Sequence, residues 1–302
     1  MRAQKRVIKH VRMSVLLCLA VLAPQLASPA DTTPDATIDE SLDHLVVKKW
    51  LQWNHQAVSQ AFGAAPAKPY QVTVNASDYR SNSLVPWGQV NRGKLTNKIR
   101  LVINPDATYE QLMGDWTAYH EYSHLLIPYQ GWGDLWFSEG LASYYQNILQ
   151  YRMGVLTQEQ AKQKLLAGLQ RGIDNNSAPH LTLRQLSRNM RKHHAYMRVY
   201  WSGTWYFWSV DQTLREKGLS LDQALDYLND CCAQQSLSAE QIVSKLDDYS
   251  GSDLFSVNFR RAANSRELAI NKDTWRQLQM MEWPRQDGDQ RGYLNIAKES
   301  KK

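Results

Sequence analysis

The stretch "WTAYHEYSHLLIPY", residues 116–129, sets two histidines four positions apart with a glutamate directly after the first. Residues four apart share one face of an α-helix. His120 and His124 can therefore point at one ion while Glu121, one step round, looks toward the open side of that ion. Zinc suits the arrangement, because imidazole is a borderline ligand and a catalytic site keeps one position for water. The competing reading is a buried apolar helix carrying two satisfied histidines. It has to bury Glu121 between them, and a buried carboxylate without a partner costs several kcal/mol.

The surroundings favour the ion. Residues 108–127 read as one helix that follows a strand and stops at Pro128. A third ligand is needed, and the next helical stretch, "DLWFSEGLASYYQ" at 134–146, offers Glu139. A short turn, "YQGWG", folds this helix back across the first. Glu139 is flanked by Trp136, Phe137, Leu141 and Tyr144, which favours burial over a solvated helix acid. Two imidazoles and one carboxylate leave a charge of about +1 on the site, enough to bring the pKa of bound water toward neutrality.

Working outward, "SLDHLVVKKWLQWNHQAVSQAFG" (41–63) has apolar residues at helical spacing, a Ser start and a Gly stop. "YQVTVNAS" (70–77) alternates as a strand does, and "GKLTNKIRLVINP" (93–105) reads as a second strand, with "VPWGQVNRG" as a turn-rich link. Beyond Asp106 helices are expected at 134–152, 157–172, 183–194, 197–217, 220–232 and 238–248. The fold class is α+β, mostly α: a small β-sheet packed on a helical domain with zinc between two helices. The expected division is 1–30 as a leader, 31–107 as the amino-terminal helix and sheet, 108–265 as the helical region, and 266–302 as a partly loose tail.

"HEYSH" followed by "DLWFSEGLASYY" resembles the gluzincin metallopeptidases, the clan of the aminopeptidase N-like and glycyl aminopeptidase families, over roughly residues 93–217. The resemblance implies that His120, His124 and Glu139 are the zinc ligands, one ion per chain, and that Glu121 is the general base. "VYWSGTWYFWSVDQTLRE" (199–216) is similar to the clan's Tyr-x-Lys-Gly segment, whose tyrosine stabilises the oxyanion. That role falls on Tyr200, although Ser202 replaces the lysine. Without the resemblance nothing separates Tyr200 from Tyr196 or Tyr206. The clan's aminopeptidases also carry a Gly-x-Met-Glu-Asn strand whose glutamate holds the substrate's amine, whereas "WGQVNRGKL" (87–95) has no acid. The 60 to 70 residues upstream leave no room for a large amino-terminal β domain, so the chain looks like a compact catalytic core.

The first 30 residues run from a basic stretch through an apolar one to Ser28-Pro29-Ala30, the layout of a secretory leader, with an uncleaved membrane anchor as the alternative. Its five cations (Arg2, Lys5, Arg6, Lys9, Arg12) come off the 35 of the chain, leaving 30 against 29 acids, a formal charge of +1 in place of +6. No nucleic-acid partner is implied. Of the three cysteines, Cys231 and Cys232 are neighbours in a helical stretch whose side chains are expected to diverge, so no disulfide framework is implied. Trp116, Trp136, Trp205 and Trp208 are expected to pack on apolar helix faces rather than form a carbohydrate platform. The sequence thus describes an exported zinc-dependent metallopeptidase, periplasmic or secreted, acting on peptide or protein substrates. A non-catalytic binding or scaffold protein of the cell envelope is the alternative.

Overall fold

Asp43 begins the first helix, α1 (His44–Phe62), by accepting hydrogen bonds from the amides of Leu45 and Val46. Gly63 ends it in the left-handed region at φ 70°. The Gly stop is where the sequence puts it, but the start is two residues past Ser41. In a computed structural model the chain is described over residues 34–78, 83–131 and 133–281, all within one unit that begins at Thr33. The leader and the end of the tail lie outside the described residues.

Four strands form one sheet: β1 (Asp35–Ile38), β2 (Tyr70–Ala76), β3 (Trp87–Asn91) and β4 (Asn97–Ile103), in the order β1-β2-β4-β3. β2 lies parallel to β1 and β4, while β3 runs antiparallel on the far side of β4, with Gly88 opposite Leu101 and Val90 opposite Ile99. Val72, Val74, Ile99, Leu101 and Ile103 alternate into the core. The expected link at 85–93 is therefore a strand for most of its length. It lacks apolar alternation because it is an outer strand with only one paired side.

The expected helix at 108–127 is interrupted. α2 (Tyr109–Gly114) opens with a capping box at Thr108 and ends at Asp115, whose carboxylate accepts from the Thr117 amide and starts α3 (Thr117–Ser123) afresh. His124 opens a single 3₁₀ turn, His124–Leu126, before Pro128. α4 (Leu135–Arg152), α5 (Gln158–Asp174) and α6 (Leu183–Arg188) follow. α6 is half the length expected, because the chain turns after Arg188 and His194 takes a positive φ of 50°. Then come α7 (Tyr196–Glu216), α8 (Leu221–Cys232), α9 (Ala239–Ser250), α10 (Leu254–Asn264) and α11 (Lys272–Met280). The last of these makes the start of the expected loose tail helical, with Leu278 buried.

Cys231 and Cys232 are joined in a disulfide at the end of α8, contrary to the expected divergence. The bond links sequence neighbours and so closes no loop and staples no two elements together.

One continuous apolar core runs from the sheet through α1, α4 and α7. Its centre is an aromatic cluster in which Trp136, Phe137, Tyr206, Phe207 and Phe259 meet at centroid distances of 4.9 to 6.3 Å. α4 and α7 cross there backbone against backbone. A methyl group on Gly203 would stand 1.9 Å from the Trp136 carbonyl oxygen, and one on Gly140 would stand 2.3 Å from Gly203 Cα. The Thr204 hydroxyl seals the crossing by donating to the Gly140 carbonyl at 3.2 Å. Backbone atoms at such distances cannot yield unless the helices part. Gly203→Ala should therefore destabilise the protein by about 3 kcal/mol or more in denaturant unfolding, the severe end of overpacking. Gly114→Ala, where an added methyl meets nothing within 4 Å, should change stability little.

Candidate metal centre

α3 and the start of α4 lie against each other. The Glu139 carboxylate reaches both rings of the histidine pair: its Oε2 stands 3.2 Å from His120 Nε2 and 3.7 Å from His124 Nε2. The two imidazoles are edge to face, 4.9 Å apart. Their other nitrogens are already engaged, His120 Nδ1 with Gln146 Oε1 at 2.9 Å and His124 Nδ1 with Ser138 Oγ at 3.1 Å. One ligand atom from each of His120, His124 and Glu139 lies within 4.8 Å of the others. This donor set fits a zinc ion. Both Nε2 atoms converge on one carboxylate, and both Nδ1 atoms have the outer partners that fix ring orientation in metal-ligating histidines.

Glu121, on the same helix, is buried beneath β3. A methyl group on Gly88 would stand 2.7 Å from its Cγ, so the strand approaches the carboxylate as closely as a glycine allows. The Val90 amide also donates to Glu121. Burial is the largest influence on this carboxyl and, with Glu139 adding to it, pushes its pKa up to about 7 against the pull of His120 and Arg92. Burial likewise opposes ionised Glu139, but the two imidazoles and Arg92 outweigh it and hold that carboxyl below its usual range. Burial keeps His124 neutral.

The structure separates the three tyrosines. The Tyr200 ring stacks on His120 at 6.0 Å and its hydroxyl is hydrogen-bonded to Glu139; burial, and after it the Glu139 carboxylate, raises its pKa. Tyr206 is in the aromatic core with its hydroxyl on the Phe255 carbonyl, and Tyr196 is 36% exposed at the start of α7. Trp136 and Trp208 are buried as expected. Trp116 is not: it is 47% exposed at the start of α3, edge-on to His120 at 5.7 Å, because the break at Asp115 takes it out of the helix.

Two neighbours contact the candidate ligands in ways the sequence did not indicate, although Arg92 stood out there as a cation on the acid-free stretch. Gln146 lies seven residues beyond Glu139, two turns along one face of α4, and that spacing marks it as a companion of the ligand. Arg92 sits just past β3, and its guanidinium donates to the His124 carbonyl at 3.1 Å and to Ser138 Oγ at 2.8 Å. Nothing local in "VNRGK" points to that contact. An acid from another segment could replace the missing amine anchor, but Asp134, the acid at the start of α4, is held by Arg184 at 2.9 Å and Trp136 Nε1 at 3.0 Å.

Residues 130–209 match the family model described as M61 glycyl aminopeptidase, a span that includes Glu139 and Tyr200. None of the curated protein sequences matches the chain significantly. Among solved structures, the fold is shared with an aminopeptidase N family protein from Idiomarina loihiensis (TM-score 0.54, 17% identity, 76% of this chain and 44% of that one). It is shared too with a two-domain M1 zinc metallopeptidase variant bound to L-arginine (TM-score 0.54, 14% identity, 78% and 49%). Yeast LTA4 hydrolase in complex with bestatin is similar as well (TM-score 0.54, 15% identity, 79% and 39%). The chain spans less than half the length of each of these structures. It resembles, in fold, the compact aminopeptidase N-like core of the gluzincins.

The raised carboxyl of Glu121 has a stability consequence in the metal-free protein. An acid whose folded pKa lies above its unfolded value of 4.5 holds its proton more tightly when folded, so stability falls as pH rises from about 4.5 through about 7. Metal-free Glu121→Gln, which never ionises, should exceed the wild type by roughly 3 kcal/mol at pH 8, and the gap should close by pH 4. Urea unfolding at the two pH values measures this. Equal differences at both would show that Glu121 ionises freely.

Proposed function

We infer that the protein is an exported zinc-dependent metallopeptidase that hydrolyses peptide bonds. The observation that carries this reading is the convergence of His120 Nε2 and His124 Nε2 on one Glu139 oxygen, with Glu121 buried alongside and the Tyr200 hydroxyl close by. The fold shared with an aminopeptidase N family protein and an M1 zinc metallopeptidase, and the glycyl aminopeptidase match over the second motif, support it. Export rests on the leader-like layout of the first 30 residues.

His120, His124 and Glu139 would hold the ion. A bound zinc would supply an acidified water and polarise the peptide carbonyl. The chain's own residues then divide the remaining work. Glu121, buried alongside the candidate ligands, accepts a proton from the attacking water and returns it to the leaving amine. Tyr200, whose raised pKa keeps the phenol protonated, donates a hydrogen bond to the oxyanion. Gln146 and Ser138 hold the two imidazoles by their Nδ1 atoms.

Three variants separate these roles. His124→Ala should lose most of its bound zinc in metal analysis, and stoichiometric zinc in that variant would refute the ligand assignment. Glu121→Gln should keep zinc yet lose several orders of magnitude in peptide turnover, because an amide cannot accept the proton. Tyr200→Phe should keep zinc and lower kcat by roughly a hundredfold, as removal of one oxyanion donor does.

The second expectation concerns which end of a substrate is read. An aminopeptidase neutralises the substrate's ammonium with a fixed acid, since an unpaired cation in a cleft opposes binding. Here β3 presents Gly88 and Val90 to Glu121, the cation Arg92 follows, and Asp134 is committed to Arg184. The protein therefore accepts blocked amino termini and internal bonds. In a matched pair of peptides, N-acetylation should leave kcat/KM within roughly tenfold. A drop of about a hundredfold or more would reveal an amine anchor.

A further inference from the structure

His124 lies at the end of α3, in a 3₁₀ turn, and the residue four places on is Pro128, which has no N–H to give to the His124 carbonyl. The α-type donor is thus missing, and Arg92 binds that carbonyl from across the site, with one guanidinium nitrogen, Nη2, donating to the His124 carbonyl at 3.1 Å and to Ser138 Oγ at 2.8 Å. Ser138 Oγ is in turn 3.1 Å from His124 Nδ1. Arg92 therefore reaches this histidine twice, once at its backbone and once at its ring through a single hydroxyl. The same contact ties the turn after β3 to the end of α3 and the start of α4.

We propose that Arg92 is a positioning residue that fixes His124 for metal binding. The inference rests on the zinc site proposed above. Arginine suits the task because its planar donors are fixed in direction and it keeps its charge at every working pH. Its charge alone has the opposite effect, since a guanidinium beside a cation site opposes a divalent ion. Positioning and charge thus predict opposite signs when Arg92 is replaced, and that contrast makes the proposal testable without an activity assay.

The experiment measures zinc affinity by chelator competition in purified full-length wild type, Arg92→Met, Arg92→Lys and Ser138→Ala. The visible spectrum of each protein loaded with cobalt(II) serves as a second readout. Positioning predicts that both Arg92 variants weaken zinc by roughly 10–100-fold, as loss of an outer-shell partner does, and that the cobalt spectrum changes. Lysine keeps the charge but carries it on a freely rotating ammonium at the end of a flexible stem, without the fixed direction of the guanidinium, so it should not restore the wild-type value. Ser138→Ala should weaken zinc as well, because it removes the hydroxyl through which Arg92 reaches the ring. Tighter zinc in Arg92→Met with no change in Arg92→Lys would show a purely electrostatic residue and overturn the proposal, as would unchanged affinity in both. If Arg92→Met fails to fold, Arg92→Lys and Ser138→Ala carry the decision alone. A wild-type protein that takes up no zinc would instead refute the function proposed above, whereas zinc bound equally by all four refutes only the role of Arg92.

Discussion

The crossing of α4 and α7 at Gly140 and Gly203 governs the rest of the molecule. Glu139 immediately precedes one of these glycines, and Tyr200 lies one turn before the other. The distance at which the helices meet therefore sets how far the candidate ligand stands from the phenol. Any side chain at the crossing would move both groups away from the histidine pair. The aromatic cluster around Phe137 and Phe207 surrounds this contact with large rigid groups, so the helices are held at short range by what packs beside them as well as by what is absent between them.

A second constraint is electrostatic. Two carboxylates and two imidazoles share one buried space, and the surroundings drive the carboxylates apart in acidity. Glu139, facing both imidazoles, stays ionised, while Glu121, packed under β3, is pushed toward neutrality. Adjacent acids with opposite tendencies can take different parts in one reaction.

The local parts of this site were legible in the sequence, and the non-local ones were not. His120, Glu121 and His124 follow from helical spacing within five residues, and the turn after Pro128 is short enough to bring Glu139 back onto them. Tyr200 could be singled out only through the family resemblance, because composition gives no reason to prefer one tyrosine of an aromatic helix over another. Arg92 stayed hidden because it lies 32 residues before His124, and its contact depends on β3 being a strand. That strand was hidden in turn, since "WGQVN" has the composition of a link and is extended by its pairing with β4. The break at Asp115 was missed for a related reason: the helical pattern continues on either side, and only the aspartate's bond to the Thr117 amide divides it. The mostly α architecture with a small sheet was readable because most helices carry their own periodicity and caps.

The placement of the candidate ligands on separate elements also orders events during folding. The histidine pair belongs to one short helix and its turn, and Glu139 joins it only when α4 docks across. That docking depends in turn on α7, which arrives some sixty residues later in the chain. A partly folded chain would offer an ion two nitrogens and no carboxylate, too few to retain it against competing chelators. A complete set of donors for an ion would then exist only once α4 and α7 have docked on the histidine pair.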